Sequence, residues 1–495
     1  MVLMKRRKNK HLFLFNLTLS KQQRVISCIL SMLLLLWQNA MVWAQEAPPT
    51  MSLSEFYALV FQYHPVVKNA NTLSDIAKAE IRMARGMFDP KLEATFATKK
   101  LSDKLYYNNL NPELKIPLWP GPMFKAGNER NIGNFVNPEY QTTDKGLTYA
   151  GLMVPLGQGL FIDERRNALN QALLFQNIAE AEQVKIINKI LLEAAKAYWE
   201  WYFTFGQLQY SKVARQLAEV RYKAVKERSE AGDLAPIDSV EALIFFQDRD
   251  IELQLASVEF RNASLYLSTF LWDAEGKPAN LNTAVTPVLN LEQQIIITDD
   301  KLEELKDAAL QNHPELVKIN NKMRQVEYDV RLAKEYLKPL LNVNYNLLSN
   351  NYVNFSEANL LQNNYKAGID FSFPLLLRKE RGKLLSIKTK ALQLQFEKSD
   401  LQRQIENDIL MAYNEMKTLE GLLIQQEKMV NNYNILRNGE LKKFENGESS
   451  LFLVNSRELK LVEAQIKLQS LRAKYQKERA MLYWAAGKSE YEYVR

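Results

Sequence analysis

The sequence predicts a mainly α-helical chain with a β part suited to a membrane, laid down twice on one plan. Three observations predict it. Two stretches, Phe161 to about Ser229 and Lys379 to about Glu445, contain no proline. Four short segments alternate apolar and polar residues. A set of landmarks recurs in the same order in both halves.

The chain has 495 residues, of which 47% are hydrophobic and 24% charged, values of a globular protein. Its N-terminus reads as an export signal. Lys5, Arg6, Arg7, Lys8, Lys10, Lys21 and Arg24 form a basic region, and the apolar run Val25 to Leu36 follows. That run is shorter than the roughly 20 residues a bilayer span needs. Val42-Trp43-Ala44 gives a cleavage site after Ala44, so residues 1–44 are expected to be a signal peptide. This segment carries all of the formal net charge of +7 and leaves the remainder neutral. The basic balance is therefore no evidence for nucleic-acid binding. Cys28, the only cysteine, lies in the same segment. His64 and His313 are then the remaining histidines, too few for a histidine-based metal centre, and no metal or cofactor is expected.

The duplication organises the rest. Gln62-Tyr63-His64-Pro65 is echoed by Gln311-Asn312-His313-Pro314, 249 residues on. Val154-Pro155-Leu156 is echoed by Phe373-Pro374-Leu375, and Glu230-Ala231-Gly232-Asp233 by Glu445-Asn446-Gly447-Glu448, at offsets of 219 and 215. The drop of 30 places an insertion in the first half, between its two strands. The first repeat is expected over 45–275, with strands at about 91–100 and 146–155 and a helical hairpin at about 159–273. The second is expected over 299–487, with strands at about 340–349 and 365–374 and a hairpin at about 377–486. A connecting segment, 276–298, contains Pro278, Pro287 and Ile295-Ile296-Ile297, and 488–495 is a tail.

In each repeat a short helix ends at His-Pro, because proline cannot continue a helix and restricts the residue before it. A second helix runs to Gly86 or Leu337. The long helices that follow the strands would each reach about 100 Å at 1.5 Å per residue. Their apolar residues keep a seam. Ile187, Leu191, Ala194, Tyr198, Trp201, Phe205 and Leu208 step by alternating 4 and 3, as do Ile405, Ile409, Ala412, Met416, Leu419 and Leu423. The short and return helices of each repeat, stacked end to end, nearly match the long helix in length. That geometry makes a wall, not a globule.

Leu341 to Leu347 and Ala367 to Phe373 alternate without a fault, so one strand face is apolar and the other carries Asn342, Asn344, Asn346 and Asp370. In the first half Leu92, Ala94 and Phe96 alternate with Glu93 and Thr95, and Leu147, Tyr149, Gly151 and Met153 form one face of the remaining strand. A soluble sheet with one wet face fits each segment equally well. If the strands span a membrane, four cannot close a barrel, and several chains must share one. The residues from about Leu101 to Gly146, rich in Pro and Gly and containing Tyr107 and Trp119, read as a long external loop. A shorter Asn-rich loop runs from Asn350 to about Asn364.

With these features the chain resembles the TolC family of outer-membrane efflux proteins. The features that carry the resemblance are Pro65 and Pro314, Pro155-Leu156 and Pro374-Leu375, and the tips from Gly232 to Asp238 and from Gly447 to Leu451. No single motif is specific; the duplicated order is. The resemblance implies a homotrimer in which each chain gives four strands to a twelve-stranded barrel and its helices to a periplasmic tunnel. It implies an adaptor protein docking at Gly232, Asp233, Leu234, Ala235, Gly447, Glu448, Ser449 and Ser450, with an inner-membrane pump behind it. It also implies a periplasmic constriction near Asp238, Leu453, Asn455 and Ser456. Acids that narrow the aperture in some members are absent beyond the second tip, so an apolar or amide-lined constriction is expected. Asn342, Asn344, Asn346 and Asp370 would line the barrel lumen, while Val343, Tyr345, Phe371 and Phe373 would face lipid.

No catalytic site is expected. Gly157-Gln158-Gly159 follows a strand but lacks the further glycine or Gly-Lys-Ser/Thr that phosphate binding needs. Two histidines at equivalent helix breaks offer no Ser-His-Asp set. The alternative is a periplasmic coiled-coil adaptor or scaffold with a soluble sheet, although an adaptor usually has one helical hairpin, not two.

Overall fold

Why the chain alternates long helices with one small sheet is visible in a computed structural model, in which residues 49–289, 297–349 and 364–494 are described. The expected signal peptide, Cys28, Ile295, Ile296 and nearly all of the Asn-rich loop lie outside the described residues.

The elements follow one another as β1 (Thr50–Met51), α1 (Leu53–Tyr63), α2 (Pro65–Gly86), β2 (Lys91–Leu101), β3 (Lys104–Pro117), β4 (Met123–Ile132), β5 (Leu147–Pro155), α3 (Glu164–Glu230) and α4 (Pro236–Ser268) in the first half. The second half holds β6 (Thr286–Pro287), α5 (Asp299–Asn312), α6 (Pro314–Glu335), β7 (Leu340–Ser349), β8 (Tyr365–Ser372), α7 (Arg378–Glu445), α8 (Leu451–Ala485) and α9 (Tyr491–Val494). Residues 49–50 and 283–286 form a small unit of their own, in which the Thr286 N–H donates to the Pro49 carbonyl at 3.0 Å. Residues 51–282 and 287–494 form the main body.

Local chemistry sets the helix ends. Ser52 caps α1 in a reciprocal box with Glu55. His64 and His313 each end one helix and cap the next, with the ring Nδ1 accepting the N–H of Val66 or Glu315 at 3.2 Å and proline at the first helical position. Asp163 caps α3 by accepting the Arg166 N–H at 2.9 Å.

The helices of the main body lie side by side, four abreast. Along the first part of the 67-residue α3 the order is α2, α3, α6, α7, and along its second part α4, α3, α8, α7. The 68-residue α7 runs beside α6 and then α8. Where α8 ends, Gly487 sits against His313 and Pro314 at the start of α6, so close that a Cβ there would lie 2.7 Å from each. The shorter helices thus stack end to end beside the longer ones. Their seam is apolar: Tyr198, Trp201 and Tyr202 are buried, and the Trp201 Nε1–H donates to Ser264 Oγ of α4 at 3.0 Å. Such aromatics bury on the order of 150–250 Å² each, which fixes the phase of α3 against its neighbours.

The four segments read as strands from sequence are present as β2, β5, β7 and β8, but the sheet has six strands. Its order is β2-β3-β4-β5-β7-β8, all antiparallel. The residues read as one long external loop instead contain the hairpin β3–β4. A two-residue turn at Ser102 and Asp103, both with positive φ, joins β2 to β3. A short turn through Trp119 and Gly121 joins β3 to β4, and the longer 133–146 connection leads to β5.

Candidate functional site

The sheet register assigns every strand residue to one of two faces. Val343 stands opposite Val154 on one side and Ile369 on the other, and Tyr345 opposite Leu152 and Ala367. Phe124 pairs with Leu152 and with Ile116, Leu114 with Leu92, and Leu110 with Phe96. One face therefore carries apolar residues on all six strands, interrupted on β4 by Asn128 and Arg130. It is bare: Leu92 is 77% exposed, Phe96 64%, Ile369 70% and Phe371 67%. Phe373 lies just past the end of β8. An apolar face of this extent is stable in water only if something covers it.

The opposite face is polar and gathers Asn342, Asn344, Asn346 and Asp370. Asn342 pairs with Asp370, and the Asn344 Nδ2 donates to Asp370 Oδ2 at 2.7 Å. The face also holds charges that sequence reasoning did not assign. Lys115 Nζ lies 2.7 Å from Glu93 and 2.9 Å from Glu113. Lys366 of β8 reaches Glu129 of β4 at 3.2 Å across the two intervening strands, which makes this face the concave one. Leu147, Tyr149, Gly151 and Met153 belong to this polar face, because Gly151 pairs with Asn346 and Met153 with Asn344. It is Ala150, Leu152 and Val154 that join the apolar band. Tyr149 folds over Gly127, where a Cβ would come within 2.7 Å of its hydroxyl, so the glycine makes room for the ring.

At the other end of the long helices the two tips are built alike. Gly232 and Gly447 adopt φ of 85° and 79°, which favours glycine. The Asp233 N–H donates to the Arg228 carbonyl at 2.9 Å and the Glu448 N–H to the Lys443 carbonyl at 2.8 Å, the six-to-one bond of a Schellman ending. Val225, Ala242 and Leu451, with Tyr222, Leu234 and Phe444 against them, form one apolar cluster that holds the tips side by side. Gly232, Asp233, Ala235, Gly447, Glu448 and Ser450 are exposed, and Leu234 and Ser449 are half-buried, with Ser449 Oγ donating to Glu440 at 2.5 Å.

Of the residues expected at a constriction, Leu453 is exposed and Asp238 and Ser456 are half-buried. Asn455 is turned into the helix layer instead, 6% exposed, where its Oδ1 accepts from Arg221 of α3 at 2.8 Å. The same guanidinium pairs with the buried Glu458 of α8. Position 455 falls on the buried stripe of Leu451, Val454, Glu458 and Leu461, and that spacing is the signal in the sequence that could have placed it inside.

Among the described residues no helix is long and apolar enough to cross a membrane.

Residues 305–488 match the family model described as outer membrane efflux protein. The fold is similar to that of the CmeC outer membrane channel of Campylobacter jejuni, with a TM-score of 0.61 and 13% identity over 88% of this chain and 85% of that one. VceC, an outer membrane protein of Vibrio cholerae, superposes with a TM-score of 0.63 at 15% identity over 88% of this chain and 96% of its own. The open state of the MtrE outer membrane channel of Neisseria gonorrhoeae gives 0.59 at 13% identity over 88% and 89%. No curated relative matches the sequence. The second repeat carries an outer membrane efflux protein domain, and the chain has the fold of TolC-family outer-membrane channels.

Proposed function

We propose that this chain, an outer-membrane efflux channel subunit by domain and by fold, works as a homotrimer that passively conducts exported substrates across the outer membrane. Energy would come from an inner-membrane pump, reached through a periplasmic adaptor that docks on Gly232 to Ala235 and Gly447 to Ser450. The apolar face of the sheet would meet lipid, and the concave face with Asn342, Asn344, Asn346 and Asp370 would line the lumen.

The observation that carries this reading is that one chain is unfinished at both lateral edges. Among the described residues β2 and β8 each have one neighbour in the sheet. A sheet edge in a bilayer has no water to satisfy its backbone groups, so only closure with other chains is stable there. The helix layer is open in the same way. α4 presents Ile237, Val240, Ile244, Ile251, Leu255, Val258 and Leu265 to solvent, each 48–69% exposed. Their steps of 3, 4 and 7 are coiled-coil spacing and need a partner helix. At the opposite edge α7 exposes Leu422, Met429 and Leu436 at steps of 7. Two different edges, each wanting a partner, generate a ring when the rotation closes.

The test is membrane fractionation followed by measurement of oligomer mass in detergent and conductance in planar bilayers. A detergent-requiring trimer that forms discrete channels is expected. A chain released from membranes by carbonate, or a monomer stable without detergent, would overturn the proposal.

A further inference from the structure

We infer that the inserted hairpin β3–β4 is a full membrane-spanning part of the shared barrel, so that three chains close eighteen strands around a wide, charge-lined pore. The inference rests on the trimeric channel reading above and adds to it the size and lining of the pore.

Three independent features support it. The hairpin spans the height of the sheet: Lys91 pairs with Lys115, Met123 with Met153, and Glu129 with Leu147. It also continues both faces. Leu110, Pro112, Leu114 and Ile116 of β3 and Phe124 and Ala126 of β4 extend the apolar band as far as Asn128 and Arg130, which end it on β4, while Glu113, Lys115, Lys125 and Glu129 extend the polar one.

The third feature is width. Strands about 4.8 Å apart and tilted by about 40° each occupy roughly 6.3 Å of circumference. Six strands then span about 38 Å and four only about 25 Å. Four helices abreast at 8–10 Å cover about 36 Å. Within one chain the six-stranded sheet and the four-helix layer therefore match. Eighteen such strands give a backbone radius of about 18 Å, against about 12 Å for twelve. With Glu93–Lys115–Glu113 and Lys366–Glu129 across the concave face, the lining is hydrated and of mixed charge. It suits bulky polar cargo of either sign better than lipophilic cargo.

The experiment is a cysteine scan of the full chain in isolated outer membranes, on a Cys28→Ser background, read with a charged maleimide. Single cysteines replace Leu110, Asn111, Glu113, Leu114, Lys115 and Ile116 of β3, and Val343, Asn344 and Tyr345 of β7. Labelling at Asn111, Glu113 and Lys115 is expected to be at least tenfold faster than at Leu110, Leu114 and Ile116, with the same alternation on β7. Uniform labelling along β3 while β7 still alternates would overturn the eighteen-stranded barrel and leave the channel reading standing. Loss of alternation on β7 as well would overturn both. Electron cryomicroscopy of the unsubstituted trimer, which no substitution can misfold, counts the strands directly; twelve would refute the inference.

Discussion

His313 turns its Nδ1 onto the backbone N–H of Glu315, 3.2 Å away, and so caps the helix that begins at Pro314. Burial pushes the His313 imidazole down to about 4 from an ordinary 6.5, and burial lowers His64, at the equivalent junction, in the same direction. A group kept neutral when folded but free to charge when unfolded lowers stability as pH falls from about 6.5 through about 4, and contributes no slope above that window. The full effect is about 3 kcal/mol by the conversion of 1.36 kcal/mol per unit. His313→Asn keeps a cap and removes the titration. Urea midpoints of parent and variant should agree near pH 8 and diverge in the variant's favour toward pH 4. Parallel pH profiles would show that the imidazole is not the sensor.

Glu458 of α8 and Arg221 of α3 form an ion pair inside the helix layer, with Glu458 4% exposed. Removing one partner strands the other in a poorly hydrated site. Glu458→Ala is expected to destabilise the chain by about 3–5 kcal/mol, and pairing it with Arg221→Met should restore most of that loss. A double-mutant cycle on denaturation midpoints measures the coupling. Additive effects would mean that water reaches both groups.

The long helices were legible because nothing in about 70 residues breaks them and their apolar residues step by 3 and 4. β7 was legible because Asn342 to Leu347 alternates strictly. The hairpin β3–β4 was not. Pro112, Pro117 and Gly127 read as breakers, and proline normally marks a sheet edge. In the fold Pro112 stands inside the sheet opposite Ala94, and beside it the Arg130 N–H donates to the side-chain Oδ1 of Asn111 at 3.1 Å. The alternation of Leu110, Leu114 and Ile116 with Asn109, Asn111, Glu113 and Lys115 was the signal beneath those prolines. The facing of β5 could not be read locally, because Tyr149 and Met153 are apolar enough for either side. Only pairing with the asparagines of β7 decides it.

Val343 sits in the apolar band between Val154 and Ile369. On the proposed facing, Val343→Arg would place a charge against lipid and should cost roughly 2–4 kcal/mol near the bilayer midplane. Asn344→Arg, one residue on and on the opposite, polar face, should cost little. The comparison is read from the fraction of heat-resistant oligomer recovered in outer membranes. Equal recovery of the two variants would reverse or abolish the assigned facing.

The exposed seam of α4 gives the sharpest test of assembly. Ile251 and Leu255 are 57% and 59% exposed and stand on the side of α4 away from α3, which instead receives Ala242, Ala256 and Ala263. Neither side chain supports the fold of its own chain. Each would contribute about 1.5–3 kcal/mol when a neighbouring subunit covers it. The pair Ile251→Glu and Leu255→Glu replaces that gain with buried like charges repeated at three interfaces. The expected outcome is loss of the trimer by native mass spectrometry in detergent, with the helical circular-dichroism signal of the monomer kept. A trimer of undiminished thermal stability would mean that the seam faces water or another partner, and the packing order inferred for the ring would have to be redrawn.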